Sequence, residues 1–166
     1  MTITRRTKLA TAVAATALAA MLSGPVVGQT GAHSHDAVAT SGLTLNQGQK
    51  WSTDKPLREG MDRIRGLVEP QLAAARTGKL GPTRYQALAK QVETEVGGIV
   101  ANCKLEPKAD AMLHLVIADL LAGAEAMAGK KAQVQPAQGL SKVALAVNQY
   151  GTHFDHPGFK PIANIH

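Results

Sequence analysis

The stretch Asn102-Cys103-Lys104-Leu105-Glu106-Pro107, with Met112 and His114 just beyond it, decides how the chain is read. Before it, Tyr85, Leu88, Val92, Val96, Ile99 and Cys103 recur at three, four and seven residues, the spacing of one helical stripe. After it, Pro107 opens a second helix, because proline has no N–H to lose in a first turn. That helix is expected to reach about Gly129. Met112, Leu113, Val116, Ile117, Leu120 and Ala124 make it apolar on most sides, so it is the natural buried partner of the others, with His114 read as a core histidine. The stretch is therefore a tight corner between antiparallel helices, and it holds the single cysteine of the chain.

Outward from the corner, two more helices follow. Thr53 and Asp54 are N-cap candidates and Pro56 suits a first turn. Leu57, Met61, Ile64, Val68 and Ala75 form one stripe of a helix reaching about Thr77, which Pro70 should kink rather than end. Gly97-Gly98 costs the next helix about 1 kcal/mol per glycine and suggests close helix packing there. The fourth helix, about 137–150, carries Leu140, Val143, Val147 and Tyr150 in phase, with Gly151 closing it. Short connections give an all-α, up-down-up-down four-helix bundle with an extended N-terminal leader and a C-terminal tail.

The chain has 166 residues, enough for one domain with appendages. Arg5, Arg6 and Lys8 precede an uncharged Ala/Leu-rich run, 9–22, broken by Ser23-Gly24-Pro25, the layout of a secretory signal peptide at 1–28. The run is short for a spanning helix, which needs roughly 20 residues, so no membrane span is expected after cleavage. Cleavage after Ala32 is the alternative and would place His33 and His35 at the mature start, an arrangement suited to square-planar copper(II) or nickel(II). Residues 29–52 read as an extended, flexible leader whose far end Leu43, Leu45 and Trp51 pin to the domain. The bundle occupies 53–151, and 152–166 form a tail packed at its end. The expected location is periplasmic or secreted.

Losing the first 28 residues removes three basic side chains and no acidic ones, so the net charge falls from +6 to +3. With no dense basic stripe and few aromatics, nucleic acid is not an expected partner. The chain shows no nucleophile elbow, phosphate-cradling glycine loop or His-flanked glutamate, so an enzyme is not expected. One cysteine excludes an intrachain disulfide.

Antiparallel topology sends the start of the first helix, the corner and the end of the fourth helix to one pole. Cys103, His114, Met61, His153 and His156 are thereby predicted to share it. Thiolate, thioether and imidazole together suit copper(I), and Asp110, four residues before His114, is placed to orient its ring. The leading expectation is a soft-metal protein, with a copper ion buffered, delivered or resisted and another periplasmic protein as its partner. A metal-free helical interaction module, using the tail and the Trp51 region, is an alternative.

Residues 54–156 also resemble the small periplasmic four-helix cytochromes, especially soluble b-type ones. Met61 early in the first helix and His153 after Tyr150-Gly151-Thr152 occupy places comparable with that family's ligands. The resemblance implies non-covalent haem held by Met61 and His153, and electron transfer as the function. The chain has no Cys-x-x-Cys-His, and Cys103 and His114 are foreign to the family's pattern.

Overall fold

A computed structural model describes residues 42–165. The predicted signal peptide and the leader as far as residue 41 lie outside these. Helix α1 spans Lys55–Val68, a 3-10 turn Glu69–Gln71 follows, and α2 covers Leu72–Arg76. Helices α3, α4 and α5 are Pro82–Asn102, Pro107–Met127 and Pro136–His153. Three of these begin on a proline and α1 carries Pro56 in its first turn, where a missing N–H leaves no bond unmade. The result is an up-down-up-down bundle, α1 against α3, α3 against α4, α4 against α5 and α5 against α1.

The core follows the stripes. Leu57, Met61, Ile64 and Val68 of α1 are fully buried, as are Leu88, Val92, Leu120, Leu140, Val143 and Val147. Pro70 falls in the 3-10 turn, which redirects the chain into α2 without a loop. Glycines set the closest approaches. A Cβ at Gly123 would stand 2.8 Å from the Gly139 carbonyl oxygen, and one at Gly139 would stand 2.6 Å from the Met127 nitrogen, so α4 and α5 meet backbone to backbone. Gly97 and Gly98, expected to serve such packing, have nothing within 4 Å of their missing Cβ. They lie on the side of α3 turned from the core.

Side chains tie the pole. Asp54 caps α1 by accepting from the Leu57 N–H at 3.0 Å, and its other oxygen accepts from the Lys104 N–H at 2.6 Å. One carboxylate thus joins the start of α1 to the α3–α4 corner. Trp51 is buried; its N–H donates to the His153 carbonyl and its carbonyl accepts from Asp155, both at 2.8 Å.

Helix α5 continues through Gly151 to His153, against the expectation that the glycine ends it. The reason is the tail: the Phe159 ring packs where a Gly151 Cβ would stand. Asn148 then holds Ile162 by both backbone groups, its amide donating to the carbonyl at 2.9 Å and its oxygen accepting from the N–H at 2.7 Å. Arg65 donates to the Lys160 carbonyl at 2.7 Å. The tail therefore runs back along the bundle and brings Asn164 and Ile165 beside α2 and α5.

Candidate binding groove

The five residues predicted as metal ligands occupy unlike surroundings. Met61 is fully buried among core side chains. Cys103, the C-cap of α3, is half-buried, and burial pushes its thiol above the ordinary value, helped by the Asp54 and Asp110 charges. His114 is not a core histidine: its side chain is 61% exposed. Helix α4 buries Leu113, Val116, Ile117 and Leu120, which leaves His114 on the opposite face. Its Nδ1 lies 2.9 Å from the Asp110 carbonyl and 3.4 Å from the Asp110 carboxylate. His153 Nδ1 contacts the Gln149 carbonyl at 2.8 Å.

His156 is nearly enclosed, its side chain 7% exposed. Its Nδ1 meets the Tyr150 hydroxyl at 3.0 Å and its Nε2 lies 3.4 Å from the Asp62 carboxylate, so both ring nitrogens have protein partners. Burial lowers its pKa, opposed by Asp62 and assisted by Arg58. Tyr150, fully buried, has its hydroxyl pKa raised by the same desolvation. This triad, with Phe159 edge-on to Tyr150 and tilted against His156, locks the start of the tail to α1 and α5. Among the described residues no three His, Cys, Asp or Glu side chains are grouped to hold a metal ion. The topology brings the loops to one pole as expected; there Met61 lies in the core and His114 on an exposed face of α4.

Haem meets a similar obstacle. Met61 sits inside the close-packed cluster with Leu57, Ile64 and Tyr150, and neither it nor His153 lines either cavity described below. The residues present do not fit that cofactor.

A mostly apolar concavity lies elsewhere, along the outer face of α5. It is a groove of about 480 Å³, within the range of small-molecule sites. Ala137, Ser141, Leu145 and Gln149 mark its floor at four-residue intervals, one row of the helix. Leu72 and Ala75 of α2 form one wall, and Ile165 of the tail closes part of another. Leu145 is 38% exposed within it, an aliphatic side chain that folding leaves uncovered. The groove exists because the chain breaks after Val68 and re-forms α2 over α5, and because the tail returns.

The polar groups are few and stand at the rim. Lys142 pairs with Asp119 of α4 at 2.7 Å. Arg76, in the last turn of α2, has no ion pair or hydrogen-bond partner among the described residues. A second hollow of about 390 Å³ between α1 and α3 has only Leu67 and Ala87 as apolar lining. Its Glu95 is held by Arg63 at 2.6 Å. Of the two, the α5 groove has the more apolar lining.

Sequence reading missed this groove. The available signal was the row Ala137, Ser141, Leu145 and Gln149, which puts small residues beside an aliphatic one off the core stripe of α5. No protein-family model, curated protein or solved structure matches the chain.

Proposed function

We propose that this bundle is a small-ligand-binding protein whose α5 groove seats an apolar molecule or the apolar part of one. The observation that supports it is a mostly apolar groove of about 480 Å³, walled by α2, α5 and the tail, with Leu145 uncovered on its floor. Convergence of several segments on one apolar hollow is what a binding site needs and what core packing alone does not require. A signal peptide at the start of the chain would send this activity to the periplasm or the outside of the cell.

The test is titration of the mature protein with an uncharged fluorescent naphthylamine. Saturable binding with one site per chain is expected. Leu145→Asp is expected to weaken it about tenfold or more, the effect of about 1.4 kcal/mol. Val100→Asp, at a more exposed aliphatic residue on α3, should leave it unchanged. Absence of saturable binding, or equal loss in both variants, would refute the reading.

One observation favours a second reading. Asp110 contacts His114 and also raises the Cys103 pKa, so these two soft-metal donors share a carboxylate neighbour at the corner. A cuprous ion between Cys103 and His114 would need only those two ligands, with Asp110 fixing the ring. Competition titration against a cuprous chelator tests it: binding should vanish in Cys103→Ala and weaken in His114→Ala. Retention of copper in the double variant would remove it.

A further inference from the structure

Resting on the groove reading above, we infer that the ligand is a free monoanionic amphiphile, its tail along Leu72, Leu145 and Ile165 and its carboxylate-like head at Arg76. Among the described residues, three charged side chains line the groove: Arg76, Lys142 and Asp119. Lys142 and Asp119 are 2.7 Å apart and neutralise each other. That leaves the Arg76 guanidinium as the net charge of the site. A guanidinium offers planar paired donors that match a carboxylate. The remaining rim groups, Gln138, Ser141, Gln149 and Asn164, are uncharged and include donors.

The opposing effect is small. The carbonyl end of a helix disfavours an anion, but α2 has only five residues. Its last carbonyls are already occupied: Ala73 accepts from Thr77 at 3.3 Å, Ala75 from Gly78 at 3.0 Å and Ala74 from Lys79 at 2.9 Å. Among the described residues a cationic ligand meets only Asp119, which is engaged by Lys142. A bilayer is a poor match as well. The exposed large aliphatics Leu45, Val100, Val134 and Leu145 sit on different segments, and only Leu145 belongs to the groove. Among the described residues no helix is long and apolar enough to cross a membrane.

The experiment displaces the uncharged probe with decanoate or decanol at neutral pH, using the mature wild-type chain, Arg76→Gln and Arg76→Lys. Decanoate should compete about fivefold better than decanol, the size of one partly exposed charge-assisted contact. Arg76→Gln should abolish the preference, and Arg76→Lys should restore part of it. Equal competition in the wild type, or a preference that survives Arg76→Gln, overturns the inference and leaves the groove reading standing. Sedimentation with anionic phospholipid vesicles in preference to decanoate binding also overturns it, assigning the charge to a membrane surface. Failure of the probe itself to bind removes the groove reading and this inference together.

Discussion

Replacing Gly139 with alanine adds one methyl group where α4 and α5 meet backbone to backbone. The new Cβ would lie 2.6 Å from the Met127 nitrogen, 2.7 Å from the Gly123 oxygen and 2.9 Å from the Ala126 Cβ. Two of the three are backbone atoms and cannot rotate aside. Restoring ordinary separations of about 3.5 Å or more requires α4 and α5 to part by roughly 1 Å. That loosens Leu120, Ala124, Val143 and Ala144, which are buried along the same seam. Overpacking of this kind costs about 1–3 kcal/mol. Alanine returns at most about 1 kcal/mol through its better helix propensity, so a net loss of about 1–2 kcal/mol is expected. The same substitution at Gly97 meets nothing within 4 Å. There only the propensity gain remains, about 0.5–1 kcal/mol of stabilisation. Urea unfolding of both variants, followed by circular dichroism, reads the two signs directly. In melting temperature the loss corresponds to roughly 4 °C per kcal/mol for a domain of this size. A Gly139→Ala protein as stable as the wild type, or a destabilised Gly97→Ala, would refute the close crossing.

Three further predictions concern the pole and the tail. Asp54→Ala removes acceptors for the Leu57 and Lys104 N–H groups; it should cost about 1–3 kcal/mol in urea unfolding, more than Glu106→Ala at the uncapped start of α4. Asp54→Asn keeps a capping oxygen but removes a charge that raises the Cys103 pKa, so alkylation of Cys103 by iodoacetamide should speed up without unfolding. His156 titrates below its ordinary value of 6.5, chiefly because it is buried. Asp62 and Arg58 of α1, Tyr150 of α5 and Asp155 of the tail face or influence it. The unfolded chain therefore takes up the proton first, and stability is lost as pH falls from 6.5 towards the folded value, levelling off below it. The urea midpoint of the wild type should drop across that window more than that of His156→Asn; equal slopes would contradict the buried, neutral imidazole.

Much of the bundle was legible because its stripes are local. Leu57, Met61, Ile64 and Val68 share a face in any helix, and all four are fully buried. Pro70 was read as a kink in one helix, whereas α1 ends at Val68 and the chain passes through a 3-10 turn into α2. What was not legible depends on helix rotation and on partners distant in sequence. Gly97-Gly98 and Gly123 with Gly139 look alike on paper, but only the second pair lies at a crossing. His114 sits in a helix apolar on most sides, so its exposed position follows from which side α3 and α5 cover. Gly151 reads as a helix end until Phe159, eight residues on, occupies the space beside it. The groove needs the break before α2 and the return of Ile165, neither of which leaves a periodic mark. The pole was foreseen from topology, whereas the exposure of His114 was not.

The most direct measurement is an amide chemical-shift titration of the mature protein with decanoate. The account predicts saturable shifts concentrated at Leu72, Ala75, Arg76, Ser141, Leu145 and Ile165, with the corner residues Cys103 and His114 undisturbed. Shifts centred on that corner, or a spectrum that decanoate leaves unchanged, would contradict it.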